Sequence, residues 1–329
     1  MICNDIHSAL LPFIARYEQV CIIADAKLSL SEWNAPIMRL RVSEETKNID
    51  SIGKIWDFLF EQNLTRRGLV VAIGGGVITD MVGFAASTYK RGVDYLNIPT
   101  TLLSMVDASI GGKTGFNYQR IKNSIGVFAS PIDTLICPKW LKSLPVKEIL
   151  SGFGEMLKMG LIEENLWPRL VQYDLDMMPI EELTPLIIAC VRAKEDIVGS
   201  DPKESGMRKV LNFGHTFGHA MEEMSLGAIP HGYAVVYGMI AELYLSVTKL
   251  GCPREPLQQL TQLMLSYYGR PNCKCSEREQ LITLMRQDKK NERAAEINCT
   301  LIKQIGLPVF NQVISTDEAN EALDYLFSL

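Results

Sequence analysis

Apolar and polar positions follow two different rhythms along this chain, and the change falls near residue 146. Before it, short apolar runs alternate with amphipathic stretches over short links. Residues 18–24 (EQVCIIA) predict a first strand ending at Asp25, and residues 36–42 a second. Glu44-Glu45-Thr46-Lys47 leads into a helix ending near Asn63, with Ile52, Ile55, Trp56 and Leu59 on one face. Residues 69–73 contain no polar position and predict a parallel strand buried on both sides. That run breaks into Gly74-Gly75-Gly76, and residues 77–86 predict a helix with Asp80 in its first turns. Residues 93–98 are the next strand, closed by Pro99-Thr100-Thr101, and residues 134–137 a last short one before a linker at 138–145.

After residue 146 the apolar spacing turns helical over long segments: 147–162, 180–198, 214–224, 234–250, 256–268 and 276–286. Residues 295–305 read as a strand and 317–327 as a terminal helix. The expectation is a doubly wound α/β domain over 1–145 and a mainly α-helical domain over 146–329.

Composition narrows the class. The chain has 329 residues, 47% hydrophobic and 22% charged, which suits a globular protein of two domains. A net charge of −5 does not fit a broad nucleic-acid surface, so an anionic substrate would need a local cluster of Lys and Arg. The N-terminus has no basic region or long apolar core, and the most apolar window holds three glycines and Asp80. Neither a secretory signal nor a membrane span is expected, and the protein is placed in the cytoplasm. Eight cysteines lie without framework spacing, as in a chain with reduced thiols. Cys273-Lys274-Cys275 has the composition of half a metal site; without a second pair it reads as a surface loop.

The candidate chemistry lies in both halves. A strand entering glycines and then a helix N-terminus forms an anion site, because free N–H groups point outward. The spacing is not GxGxxG, so a glycine turn serving close strand–helix packing is the alternative. Asp25 could accept from a ribose or cap a turn. In Asp107–Lys113 a second glycine pair precedes a lysine that could reach a phosphate. Three of the four histidines, His215, His219 and His231, fall within seventeen residues. Helical spacing pairs His215 with His219 on one face, and three ligands plus an open position is the composition of a catalytic metal site. Glu155, at the start of a helix, is the candidate carboxylate; Lys158 shares its face, and an ordinary surface ion pair is the alternative. Lys194, Arg208, Asn212, Lys289 and Lys290 supply cationic or polar groups nearby. Arg208 and Asn212 precede His215 at spacings that one helix would align.

The motifs GGGVITD (74–80), YKRGVDYLNIPTTLLSMVDASIGGKTGFN (89–117), KNSIG (122–126), GFGEMLKMG (152–160), LNFGHTFGHAME (211–222), HGYAV (231–235) and DKKN (288–291) occur in one order. In them the chain resembles the 3-dehydroquinate synthase family of sugar phosphate cyclases. The resemblance implies an NAD-binding α/β domain followed by a metal- and substrate-binding helical domain. It implies conversion of 3-deoxy-D-arabino-heptulosonate 7-phosphate to 3-dehydroquinate and phosphate, by transient oxidation at C5, phosphate elimination, re-reduction and an intramolecular aldol closure. Carried over, Glu155, His215 and His231 match the metal ligands, for Zn²⁺ with Co²⁺ as the alternative. His219 then contacts substrate instead of metal, against the spacing argument.

The resemblance further assigns Lys113, Asn123, Asn212, His219 and one of Lys289 and Lys290 to the substrate phosphate. Lys194 and Arg208 match the carboxylate side, and Asp107, Lys158 and Glu204 the reacting ring. Arg91 matches an arginine that reaches the partner's site, which implies a homodimer. Asp25, Glu44, Lys47, Gly75, Gly76, Val77, Asp80, Thr100, Thr101, Lys113, Lys122, Lys142 and Ser143 match NAD contacts. The chain departs from the family in a short N-terminal part, with only eighteen residues between Asp25 and Glu44. Competing expectations are another sugar phosphate cyclase, a metal-dependent polyol dehydrogenase and a non-catalytic NAD-binding protein.

Overall fold

The computed structural model describes residues 1–30, 33–119, 121–272, 275–287 and 296–329. The chain divides into two compact units, Met1–Pro145 and Val146–Leu329.

In the first unit, α1 (Ile6–Ile14) precedes β1 (Val20–Asp25), β2 (Ile37–Leu40), α2 (Ile49–Glu61), β3 (Leu69–Gly74), α3 (Gly76–Thr88) and β4 (Asp94–Pro99). The four strands form one parallel sheet in the order β2-β1-β3-β4. Strand alternation divides β3 between two cores. Val70 and Ala72 pack with Ile52, Ile55, Leu59, Met81 and Val82 of α2 and α3; Leu69, Val71 and Ile73 pack on the opposite face with Leu10 of α1. Asp5 caps α1 by accepting from Ser8 N–H.

A hairpin of β5 (Lys113–Tyr118) and β6 (Ile121–Phe128) completes the unit. It does not follow from the sequence pattern, because glycines and asparagines interrupt its alternation. Residues 134–137 form only isolated bridges, Thr134 beside Asn97 and Ile136 beside Ile2. The expected linker is a 3-10 helix over Pro138–Ser143 that buries Leu141.

The second unit contains α4 (Val146–Ile162), α5 (Trp167–Val171), α6 (Ile180–Ser200), α7 (His215–Met224), α8 (His231–Leu250), α9 (Glu255–Leu263), α10 (Arg278–Gln287), the antiparallel hairpin β7 (Ile297–Gln304) and β8 (Leu307–Ile314), and α11 (Thr316–Ser328). α8 is the central helix. It is buried from Ala234 through Leu243, and α4, α7, α9, α11 and β7 pack on it. It starts three residues earlier than its apolar spacing predicts, because Pro230 ends the preceding loop and leaves His231 as the first helical residue. The expected helix over 256–268 is α9 followed by a π turn at Met264–Tyr268.

Candidate active site

Three helices bring one side chain each to a common point. Glu155 lies in the middle of α4, not at a helix start, and is 0% exposed. His215 is the first residue of α7 and His231 the first of α8. Both imidazoles turn Nε2 toward Glu155 Oε1, at 3.5 Å from His215 and 3.1 Å from His231. One donor atom from each of the three residues lies within 4.8 Å of the others. Donors on a tetrahedral ion at about 2.1 Å sit about 3.4 Å apart, so the three residues fit a single divalent ion.

The groups behind the imidazoles agree. His215 Nδ1 donates to the Phe213 carbonyl at 3.0 Å, which leaves Nε2 as the lone-pair nitrogen facing Glu155. His231 Nδ1 meets Glu222 Oε2 at 3.0 Å, the carboxylate–histidine arrangement common behind metal ligands. Burial works against a charged His231. The hydrogen bonds and charges of Glu155 and Glu222 outweigh it and raise His231 to about 10. The pocket thus favours positive charge at the point where an ion would sit.

Lys158 pairs with Glu155 Oε2 and is only 1% exposed, so the surface ion-pair alternative does not hold. His219 stands one turn beyond His215, its ring 5.0 Å from that of His215 and 6.0 Å from that of His231. It lies outside the three-residue cluster, so the pairing drawn from helical spacing is corrected.

Helix crossings fix this geometry. A Cβ on Gly232 would lie 1.8 Å from the Ser151 carbonyl oxygen, and one on Gly154 2.5 Å from that of Gly232. Backbone contact at this crossing brings Glu155 of α4 against His231 of α8, and Ser151 Oγ accepts from Gly232 N–H at 3.1 Å. The N-terminus of α7 is held differently. Gly214 adopts φ +79°, and Glu242 of α8, 0% exposed, accepts from the N–H groups of Gly214 at 2.7 Å and Thr216 at 3.1 Å. Glu222 and Glu242 were not singled out in the sequence. Each is an acid a whole number of turns from a candidate histidine, and Glu242 interrupts an otherwise apolar run.

Residues 201–212 form a second cluster in this unit. Asp201 accepts from the N–H groups of Gly206, Ser205 and Arg208, and its carboxyl is held down to about 2. Arg208 is buried, with Nη1 donating to Pro202 O at 2.8 Å; Asn212 Nδ2 donates to Glu204 Oε1 at 3.0 Å. Arg208 and Asn212 do not share the helix of His215. They lie on a 3-10 helix at Met207–Asn212 that ends before the Gly214 turn. Lys194 is buried on α6, which packs against that 3-10 helix. Lys289 and Lys290 lie outside the described residues, as do Cys273 and Lys274.

In the first unit, Lys47 is 4% exposed and donates from Nζ to Asp80 Oδ2 and Asn123 Oδ1, each at 2.5 Å. Asn117 extends the cluster by donating to Glu44 Oε1 at 2.8 Å and accepting from Asn123 N–H at 2.8 Å. Burial pushes the Asp80 carboxyl up while Lys47 pulls it down. Asn123, expected at the substrate phosphate, therefore joins Lys47 and Asp80, expected at NAD.

None of Gly74–Gly76 has positive φ. Their lack of side chains serves proximity instead: Cβ atoms on Gly75 and Gly76 would lie 3.2 Å from Thr101 Cγ2 and 3.1 Å from Ala108 Cβ. No side chain caps α3, so its first N–H groups at Gly76 and Val77 face the turn. Thr100 N–H donates to Gly74 O at 3.0 Å, which ties the ends of β3 and β4 together. Asp107 sits in a π turn at Ser104–Ala108, and Lys113 is exposed where β5 begins. Lys122 is half-buried on β6. Asp25 accepts from Lys27 N–H at 3.0 Å, so its carboxylate is engaged in the turn after β1. Lys142 and Ser143 lie exposed at the end of the 3-10 helix. Arg91 is exposed within three consecutive left-handed residues, Lys90, Arg91 and Gly92.

Residues 37–151 match the family described as 3-dehydroquinate synthase N-terminal, and residues 152–291 the one described as 3-dehydroquinate synthase C-terminal. The chain is 40% identical to a 3-dehydroquinate synthase of Parabacteroides distasonis, over 99% of this chain and 96% of that protein. It is 35% identical to one of Enterococcus faecalis, over 86% and 79%. A 2-epi-5-epi-valiolone synthase from Streptomyces hygroscopicus, solved with NAD⁺ and Zn²⁺ bound, superposes with TM-score 0.88 at 26% identity, covering 100% of this chain and 96% of that one. A 2-deoxy-scyllo-inosose synthase solved with carbaglucose-6-phosphate, NAD⁺ and Co²⁺ superposes with TM-score 0.87 at 21% identity, covering 98% and 95%, which shows the shared fold. The chain belongs to the 3-dehydroquinate synthase family.

Proposed function

We propose that this chain converts 3-deoxy-D-arabino-heptulosonate 7-phosphate to 3-dehydroquinate and inorganic phosphate, with NAD⁺ and Zn²⁺ as resident cofactors. The observation that carries the reading is the convergence of Glu155, His215 and His231 from three helices, each imidazole facing the same carboxylate oxygen. These residues would hold the ion, and the uncapped start of α3 beside Thr100 and Thr101, with the Lys47–Asp80 pair, would hold the dinucleotide. When bound, the ion supplies Lewis acidity to substrate hydroxyls and the dinucleotide removes and returns one hydride.

The chain's own groups bind and orient. Arg208 and Lys194 take the substrate carboxylate, for which a guanidinium fork is suited. Lys113, Asn123, Asn212, His219 and one of Lys289 and Lys290 hold the phosphate. Once C5 is a ketone, the C6 proton is acidic, and the substrate's phosphate oxygen takes it as the C–O bond to phosphate breaks. Asn123, Asn212 and His219 keep that oxygen close to the proton. Lys158, fixed against Glu155, together with Asp107 and Glu204, lines the reacting ring. Arg91, exposed on its turn, would complete the site of a second copy, making the working form a homodimer in the cytoplasm.

The test is phosphate release from the heptulosonate 7-phosphate, measured with and without NAD⁺ and a chelator. The expected result is release that needs both NAD⁺ and the ion, with 3-dehydroquinate as the carbon product. Protein that binds NAD⁺ and Zn²⁺ yet releases no phosphate would refute the reading. An inosose or valiolone product from another sugar phosphate would move it to a different branch of the cyclases.

A further inference from the structure

Eight cysteines without a framework give no pairing in the sequence, yet the fold joins two that are far apart. Ile2 forms a parallel bridge with Ile136; Cys3 N–H donates to Ile136 O at 2.9 Å, and Ile136 N–H donates to Met1 O at 2.8 Å. One step further in this register, Cys3 lies opposite Cys137 on the same face. Neighbouring strands are about 4.8 Å apart, within the Cα separation that a disulfide spans. Each thiol is the largest influence on the other's acidity, which fits two side chains close together.

We propose that Cys3 and Cys137 form a reversible dithiol–disulfide couple that latches residues 1–3 to residues 134–137 of the first unit. Cys3 and the N–H of Lys139 hold the Cys137 thiol below its ordinary range against partial burial, which favours its thiolate as the nucleophile. Burial instead pushes Cys21, Cys190 and Cys252 up. Cys3 is half-buried and Cys137 is 4% exposed, so a small oxidant reaches the pair more readily than a bulky disulfide. With a hydroperoxide, the Cys137 thiolate attacks the terminal oxygen; the O–O bond breaks, leaving a sulfenic acid and, after protonation, water or an alcohol. The Cys3 sulfur then attacks the Cys137 sulfur, its proton leaves with the hydroxyl as water, and the S–S bond forms. Two electrons pass from the sulfurs to the peroxide, and a dithiol reductant reverses the change. The bridge closes a loop from residue 3 to residue 137, nearly the whole of Met1–Pro145, and so restricts the unfolded state of that unit.

The experiment uses the full chain, reduced, freed of reductant and titrated with hydrogen peroxide. Samples are alkylated under denaturing conditions and mapped by peptide mass spectrometry. The expected result is a Cys3–Cys137 cross-linked peptide formed before other cysteines react, removed by dithiothreitol, with a higher Tm for the oxidised protein. Cys3→Ser should form no bridge and instead accumulate a dimedone-trappable sulfenic acid at Cys137. Its Cys137 alkylation should also need higher pH than in wild type. A first cross-link through other cysteines, survival of both thiols while others oxidise, or a Cys137 no more reactive than Cys21 would each overturn the proposal.

Discussion

Gly232→Ala is a one-carbon change that touches no ligand atom, yet it should disable the metal centre. The added Cβ would lie 1.8 Å from Ser151 O, about 1.6 Å short of ordinary contact at 3.4 Å, with backbone atoms as its nearest neighbours. Neither a rotamer change nor a flexible side chain can relieve that overlap, so α4 and α8 must separate. His231 is the adjacent residue, and metal–ligand distances tolerate only about 0.2 Å. Overpacking of this kind costs about 1–3 kcal/mol, and misplacing a ligand should weaken Zn²⁺ binding by about tenfold to a hundredfold. Helix propensity alone predicts the opposite sign, a gain of about 1 kcal/mol for Ala over Gly. Gly53→Ala is the control: it lies within α2 with nothing within 4 Å of the new Cβ, and it should be stabilising. The assay is Tm of the metal-free protein, with Zn²⁺ affinity from competition against a chromogenic chelator. A Gly232→Ala protein with raised Tm and wild-type affinity would refute the helix-crossing argument.

Three further outcomes follow from the geometry. Glu222→Gln should weaken Zn²⁺ about tenfold or more by loosening His231 Nδ1, with turnover largely restored at saturating metal; unchanged affinity would show that Glu222 does not orient the imidazole. Lys47→Met should cost about 1–3 kcal/mol and weaken NAD⁺ binding, with Asp80→Asn recovering part of the loss in the double variant; strictly additive effects would contradict the pairing. Asp201 has a folded value of about 2 against an ordinary 3.8, so its stabilisation is complete above about pH 4 and fades as pH falls toward 2. Wild type should lose Tm across that window more steeply than Asp201→Asn, and parallel curves would contradict the assignment.

Much of the α/β half is legible because its signals are local. Residues 69–73 form β3 since every position is apolar, and the adjoining glycines mark where α3 begins. The glycine turn shows the limit: composition gives its place, while its purpose here is approach to Thr101 and Ala108 instead of unusual φ. Residues 134–137 look like a strand, but they meet neighbours only at single bridges. Helical spacing pairs His215 with His219 because it sees one helix. The observed cluster takes one residue from each of three helices, and Gly154 and Gly232 decide that crossing. The motif resemblance reached the trio that periodicity could not. Cys3 and Cys137 were illegible for the same reason, being joined by strand register across the whole first unit.

The central claim is that Glu155, His215 and His231 hold one divalent ion. The direct measurement is anomalous scattering at the zinc edge from crystals of Zn²⁺-loaded protein. The account predicts one strong peak bonded to a Glu155 carboxylate oxygen and to Nε2 of His215 and His231, at about 2.0–2.2 Å from each. A peak held by His215 and His219, or one away from Glu155, would contradict it.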